Sequence, residues 1–268
     1  MSNDVVRVNA PEVAVSIDFH PLCVPSPPAT TSPIDEYYQR SQAVIVASAG
    51  AEDWLLRLLL LDLISAAETY FRRVLAGVIN ACAESRSIAA TQNVSLGAID
   101  YYGLVDVGFG ILENSALSGT SELKKKTKAL TGLEIKQGSS VDAALDAFER
   151  ICHLRHAAVH AKGELGSRNL AELGLRVKER RSLHLTSLTF QPIALQCQSA
   201  VRAFNQFVFS GILARWVDRA ALSGKWDEDA EAFSTLFALF ASEVDVPAID
   251  RKKAYASVLP IIVARAGK

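Results

Sequence analysis

One apolar segment constrains the fold of this chain more than any other feature. Residues 51–84, AEDWLLRLLLLDLISAAETYFRRVLAGVINACAE, form a helix candidate whose apolar positions cover more than one helical face. Such a helix cannot leave a whole side in water, so the pattern predicts a central helix surrounded by others. Its most apolar run, 54–64, is interrupted by Arg57 and Asp62 and is too short to span a bilayer.

Further helix signals follow along the chain. They cover residues 94–117, 121–133, 139–163 and 189–222, with one or two short helices in 223–268. Between them, LRVKERRSLHLTSL (175–188) predicts a small β-hairpin. The expected fold class is all-α, an antiparallel helical bundle with a small β-hairpin insertion.

Three regions are expected along the chain. Six of the nine prolines lie in the first 33 residues, so 20–33 is predicted to be a proline-rich linker. Weak alternation over 5–19 predicts one or two short strands. We therefore expect an N-terminal extension (1–49), a helical domain (50–217) and a C-terminal helical tail (218–268).

Charge and cysteine usage bound the possible partners and compartment. The formal net charge is −1, so anion binding must come from local patches and not from an overall field. Four cysteines without a C-x-x-C pair predict reduced thiols, not a disulfide framework or a zinc ribbon. The N-terminus lacks the basic start and apolar block of a signal peptide. These features predict a cytoplasmic protein with no membrane partner.

The segment ICHLRHAAVHAKG (151–163) holds three of the five histidines of the chain. Steps of four and three residues predict a core-facing stripe on its helix, formed by Val141, Leu145, Phe148, Cys152, Arg155 and Val159. A guanidinium in such a stripe is costly unless a carboxylate or a bound anion partners it. A second, polar line borders the stripe and consists of Glu149, His153, His156 and His160.

The pattern RHAAVH (155–160) resembles the signature of HEPN domains, which place an arginine, then a polar residue, then a histidine at the end of a helix. Arg155, His156 and His160 occupy these places. The surroundings are also similar. A long early helix carries Glu68 followed by aromatic and basic residues, a hairpin-like segment follows the motif, and another long helix comes after it. The resemblance covers about residues 50–217.

The resemblance implies a HEPN-like bundle, usually a homodimer, whose two motifs meet in a cleft at the dimer interface. Many such proteins are metal-independent endoribonucleases that act as toxins or abortive-infection effectors. Cleavage by the 2′-OH of RNA needs a base, an acid and positive charge on the phosphate. His160 is then the general acid/base, Arg155 the phosphate clamp, His156 a substrate contact, and Glu68 the group that orients Arg155 or His160.

Expected partners are RNA, including tRNA, a second copy of the chain, and an antitoxin or regulatory protein; no cofactor is expected. The main alternative is a catalytically inactive HEPN-like module that binds RNA, a nucleotide or a regulatory protein. Another is a helical scaffold without ligand, in which a buried carboxylate satisfies Arg155. Cys152, His156 and His160 are spaced four residues apart, which suits three metal ligands along one side of a helix, but the sequence has no H-E-x-x-H motif and no second ligand cluster that supplies a fourth ligand.

Two basic runs flank the motif and are candidates for contact with a phosphate backbone. The predicted RNA-binding residues are Lys124, Lys125, Lys126 and Lys128. The second run, on the predicted hairpin, consists of Arg176, Lys178, Arg180 and Arg181. For both runs the alternative is a solvated surface. Phosphate-loop, dinucleotide-binding and G-x-S-x-G motifs do not occur in the sequence.

Overall fold

A computed structural model describes residues 16–27, 29–160, 163–248 and 250–266, without the side chains of residues 160, 261–263, 265 and 266. Within these ranges the fold is all-α, with a single two-stranded sheet. The helices are α1 (Pro33–Ala47), α2 (Asp53–Ala81), α3 (Ala83–Ala89), α4 (Leu96–Tyr102), α5 (Val107–Leu112), α6 (Thr120–Thr131), α7 (Ser140–His160), α8 (Ser167–Glu172), α9 (Ser187–Asp218), α10 (Trp226–Phe240) and α11 (Arg251–Ala266).

The chain forms two compact units, residues 1–30 and 31–268. In the first, the described part contains a 3-10 helix at His20–Leu22. The strands expected within 5–19 fall almost wholly outside the described residues. In the second unit, α1 packs along α2, and α10 packs against α1, α2 and α9. The boundaries expected at residues 49 and 217 stay predictions.

Helix α2 is the central helix, as its apolar pattern predicts. It packs against seven other helices: α1, α3, α5, α6, α7, α9 and α10. Phe71 lies at its middle, fully buried, with ring-centroid distances of 5.8 Å to Phe148 of α7 and 5.0 Å to Phe204 of α9. Burial of an aromatic ring of this size contributes roughly 2–3 kcal/mol. Most of the apolar surface of α2 is therefore covered, and its exposed large apolar side chains, Trp54 and Leu58, lie near the start of the helix.

Local signals set where α7 and α9 begin. The Ser139 hydroxyl accepts from the Asp142 backbone N–H at 3.3 Å, and the Asp142 carboxylate accepts from the Gly138 N–H at 2.7 Å. At α9, Thr186 and Thr189 form a reciprocal capping box. These contacts satisfy amide groups that have no partner inside the helix. Both helix starts agree with the sequence prediction.

The two-stranded sheet corrects the predicted hairpin. Strand β1 (Glu164–Leu165) pairs antiparallel with β2 (Arg181–Ser182), and α8 lies between them in sequence. Only β2 therefore falls within 175–188. Leu183 and Leu185 are buried, and the Leu185 N–H donates to Asp53 at 2.7 Å, so this segment is drawn onto the start of α2. Folding back on the exposed, charged residues before it would not bury those leucines.

No helix in the described part of the chain is both long and apolar enough to cross a membrane.

Candidate functional site

Helix α7 carries the motif, and its buried face agrees with the predicted stripe over its first half. Val141, Leu145 and Phe148 are at most 4% exposed. Toward the end of the helix the prediction is wrong, because Val159 is 51% exposed while Ala157 is buried. A helical period identifies one face, but burial also requires that a neighbouring element reaches that face. Val159, within the motif, therefore lies at the surface.

Arg155 also differs from the prediction, since its side chain is 39% exposed and does not enter the core. Its Nη1 lies 3.5 Å from Oε2 of Glu68 on α2. This distance is long for a hydrogen bond, and both groups are partly solvated, so we treat the contact as a weak ion pair. The structure nevertheless brings Glu68 and Arg155 together. The sequence predicted this contact only on the condition that α2 packs beside α7.

Glu68 has a stronger partner than Arg155. Its Oε1 accepts from the Ser118 backbone N–H at 2.7 Å, just before α6 begins. A second carboxylate, that of Glu149 on α7, accepts from the Thr120 N–H at 3.3 Å. Carboxylates are favoured at a helix N-terminus, where amide groups lack helical partners. These two bonds hold the start of α6 beside Arg155.

A cavity of about 290 Å³ opens where α7, α8 and the start of α6 meet. The charged, imidazole and amide side chains in its lining are Glu149, His153, Arg155, His156, Arg168 and Asn169, and the Cys152 thiol also lines it. The cavity therefore combines two guanidinium groups, two imidazoles and one carboxylate. Guanidinium groups favour a phosphate or carboxylate ligand, and imidazoles can exchange protons near neutral pH.

The three motif histidines have different positions. His156 is exposed and lines the cavity, as a substrate contact would. His153, which belongs to the polar line beside the stripe, is half-buried and also lines the cavity. His160 is the last residue of α7, and its imidazole lies outside the described part of the structure.

Helix α8 contributes two residues that the sequence prediction missed, Arg168 and Asn169. No spacing rule connects them to Arg155. They reach the cavity because α8 packs against α7. In the sequence, only their residue types could have indicated a functional site. This signal is not specific, because arginine and asparagine occur in many exposed loops.

The basic and aromatic residues that follow Glu68 have structural partners. Arg72 donates to the backbone carbonyl of Ser115 at 2.9 Å, and Arg73 is ion-paired with Glu36 of α1. The Tyr70 hydroxyl donates to Asn205 at 2.9 Å. The lining of the cavity does not include these three α2 residues. These residues therefore connect α2 with the segments packed around it.

The described part of the chain offers few side chains that could together bind a metal ion. No three side chains of His, Cys, Asp or Glu cluster there in a way that would hold a metal ion. Burial raises the pKa of the Cys152 thiol, which favours the protonated form over the thiolate that binds metals. The remaining two residues of the proposed set are His156 and His160, and the His160 imidazole is not described.

The lysines predicted to bind RNA lie on α6, and the lining of the cavity does not include them. Lys124 is paired with Asp142 and, at 3.2 Å, with Asp146. Two further lysines have carboxylate partners, Lys126 with Glu122 at 4.0 Å and Lys128 with Glu134 at 3.0 Å, while Lys125 is exposed. The Lys128–Glu134 pair is exposed on both sides, and such a pair contributes about 0–1 kcal/mol, so a phosphate could replace that carboxylate. The RNA contact of these lysines stays a prediction.

The second basic run is exposed along its whole length. Arg180 pairs with Glu164 at 3.1 Å, and Arg181 pairs with Glu179 at 3.2 Å. Both arginines are more than half exposed, so these contacts leave them available to solvent. A phosphate contact here also stays a prediction.

No family model matches the sequence, and no curated protein or solved structure matches the chain. The function therefore has to be inferred from the chain's own residues and their arrangement.

Proposed function

We propose that the chain is a metal-independent endoribonuclease of HEPN type. The observation that carries the proposal is the cavity in which Arg155 lies with Arg168, His153 and His156. A phosphodiester is an anion that needs both positive charge and proton transfer to be cleaved, and this set offers both. Glu68, anchored by Ser118, is a weak ion-pair partner on one side of the Arg155 guanidinium.

The proposed chemistry uses the nucleophile that RNA itself carries. A base takes the proton of the 2′-OH, the 2′-oxygen attacks the adjacent phosphorus, and the P–O5′ bond breaks as an acid protonates the 5′-oxygen. The products are a 2′,3′-cyclic phosphate and a 5′-hydroxyl. His160 is assigned as general acid/base from the motif, Arg155 as the phosphate clamp, and His156 as a substrate contact.

A homodimer belongs to the proposal, because one motif supplies only one pair of the required groups. A two-fold pairing brings the same patch together twice. Val159, half-exposed four residues after Arg155 on α7, is an apolar side chain that a second copy would cover. The role as a toxin or anti-phage effector, and control by an antitoxin or regulatory protein, rest on the resemblance alone.

The test is RNA cleavage in EDTA, with total RNA and with tRNA as substrates. Wild type should cleave and leave cyclic-phosphate ends, while His160→Ala and Arg155→Ala should lose at least about 100-fold in rate. His184→Ala is the matched control, since His184 is exposed and is not part of the cavity lining. Cleavage by His160→Ala at the wild-type rate would remove His160 from the mechanism.

The second candidate is an inactive module that binds RNA or a nucleotide. The specific observation in its favour is that the cavity holds two guanidinium groups, and phosphate binding needs only those. The same assay separates the candidates. Binding of RNA without cleavage by the wild type, at any substrate concentration, would replace the enzyme proposal by this one.

A further inference from the structure

We infer that the turn between α4 and α5 is a docking surface for a partner protein, which contributes a segment with an apolar face and basic side chains. This α4–α5 surface consists of Leu96, Asp100, Tyr101, Leu104, Val105 and Asp106. The inference goes beyond the proposed ribonuclease activity and does not depend on it, because the lining of the cavity beside α7 includes none of these residues.

Large apolar side chains at this turn lie mostly in solvent. Tyr101 is 82% exposed, Leu104 67% and Val105 76%, and Leu96 at the start of α4 is 73% exposed. Because only four residues separate Tyr101 from Val105, chain geometry keeps them within about 14 Å of each other. Single exposed apolar side chains are normal on a protein surface, whereas a group of them marks a contact surface.

The backbone of the turn is fixed against α2. The side-chain amide of Asn80 on α2 donates to the backbone carbonyl of Val105 at 2.7 Å. Gly108 of α5 lies so close to α2 that an added Cβ would be 2.8 Å from the Cα of Ala76. A surface that packing has already ordered loses less conformational entropy when a partner binds. The exposed side chains are therefore presented on an ordered backbone.

The charges around the turn all have one sign. Between Arg86 and Lys124 the sequence contains no lysine, arginine or histidine, and its carboxylates are Asp100, Asp106, Glu113 and Glu122. Asp100 and Asp106 are exposed, and neither forms an ion pair within the described part of the chain. These carboxylates favour lysine or arginine side chains on the molecule that covers the apolar group.

The same charges disfavour other occupants. RNA and an anionic membrane surface are both negatively charged, so the carboxylates would repel them. A second copy bound about a two-fold axis through this surface would place Asp100 and Asp106 of one copy beside those of the other. Like charges brought together at an interface cost several kcal/mol, so a different protein with basic side chains is the occupant that fits.

The experiment measures binding of synthetic peptides to the full chain by fluorescence anisotropy. The probe is a fluorescein-labelled amphipathic peptide of leucine and lysine, about 14 residues long, near the shortest length at which an isolated helix forms. Two further peptides replace every lysine by glutamate or every leucine by serine. The variants are Tyr101→Ser/Leu104→Ser and the charge reversal Asp100→Lys/Asp106→Lys.

Each variant has a matched control. Leu188→Ser removes another apolar side chain that is 82% exposed. Asp227→Lys/Glu231→Lys makes the same change in net charge on exposed residues of α10. Circular dichroism and melting temperatures verify that all variants are folded.

Wild type should bind the leucine–lysine peptide at least about ten-fold more tightly than either of the other peptides, and less tightly as the salt concentration rises. Tyr101→Ser/Leu104→Ser should weaken this binding at least about ten-fold, whereas Leu188→Ser should not change it. Asp100→Lys/Asp106→Lys should reverse the preference toward the leucine–glutamate peptide, whereas the α10 control should keep the wild-type preference.

Three results would overturn the inference. The first is that the leucine–lysine peptide does not bind, and the second is that the charge reversal leaves the preference of the chain unchanged. The third is a wild-type dimer in sedimentation that Tyr101→Ser/Leu104→Ser converts to a monomer, because the surface would then be an interface between copies. RNA cleavage is measured separately and should be the same in Tyr101→Ser/Leu104→Ser as in wild type, so failure of the ribonuclease proposal is distinguishable from failure of this one.

Discussion

Replacing Glu68 should destabilise the protein more than replacing Arg155, although the two side chains form one ion pair. The carboxylate of Glu68 has two partners, the Ser118 N–H at 2.7 Å and the Arg155 guanidinium at 3.5 Å. Arg155 has solvent over 39% of its side chain. Removal of Glu68 therefore leaves a part-buried amide without a partner, whereas removal of Arg155 leaves a carboxylate that keeps its better hydrogen bond.

The magnitudes follow from these contacts. A hydrogen bond between an amide and a charged group contributes about 1.5–3 kcal/mol, and a solvent-exposed ion pair about 0–1 kcal/mol. Glu68→Ala should therefore lower the free energy of unfolding by roughly 2–3 kcal/mol, and Arg155→Ala by less than about 1 kcal/mol. At about 2–4 °C per kcal/mol for a chain of this size, Glu68→Ala should lower the melting temperature by roughly 4–12 °C.

The assay is urea unfolding followed by circular dichroism, with both single variants, the double variant and Glu68→Gln. Glutamine keeps an oxygen for the Ser118 N–H, so it should recover at least half of the loss. The double-mutant coupling between Glu68 and Arg155 should stay below about 1 kcal/mol. Glu113→Ala, an exposed glutamate, is the control for loss of a surface carboxylate.

Two results would refute this reasoning. If Arg155→Ala costs as much as Glu68→Ala, the ion pair is the stabilising contact. If the coupling exceeds about 2 kcal/mol, the pair is not solvated as its exposure indicates. In either case Glu68 would act mainly through Arg155 and not through the start of α6.

Two further predictions concern the ends of α7. Gly163 has a backbone φ of +97°, and an added Cβ would lie 3.3 Å from the backbone carbonyl oxygen of Leu183, which can move less readily than the flexible Arg57 guanidinium that the Cβ would also meet. Gly163→Ala should therefore lose more stability in thermal melts than Gly138→Ala. Gly138 has a φ of +75° with open space around it, so its replacement should cost only the left-handed strain of about 1–2 kcal/mol. Equal losses of stability in the two variants would contradict the predicted close contact at Gly163. At the other end, a hydrogen bond from Lys124 and one from the Gly138 N–H hold the pKa of Asp142 below its ordinary value of 3.8, so the stability it contributes is present above that value and is lost as the pH falls through the lower folded pKa. Asp142→Asn should thus have a lower free energy of unfolding than wild type in urea at about pH 7, and this difference should narrow as the pH falls below about 4. The control is Asp146→Asn, which removes an exposed partner of the same lysine and should show a smaller difference from wild type. A difference that does not depend on pH would refute the assignment.

Much of the helical architecture could be predicted from local sequence. The apolar residues on all faces of 51–84 require a central helix, and α2 is that helix. Ser139 and Thr186 mark the starts of α7 and α9, because a cap acts on amides only two or three residues away. Such information lies within a few residues of the chain, so the sequence by itself determines it.

The candidate site depended on contacts between distant segments. The motif predicted that Arg155 needs a partner, but only packing of α2 beside α7 decided that Glu68 is close to it and that both stay partly exposed. Arg168 and Asn169 join the cavity through α8, and β2 pairs with β1 instead of with the residues that precede it. Neither the helical periodicity nor the capping residues predict these contacts. Each contact depends on which surfaces meet when leucines and phenylalanines far apart in sequence are buried together.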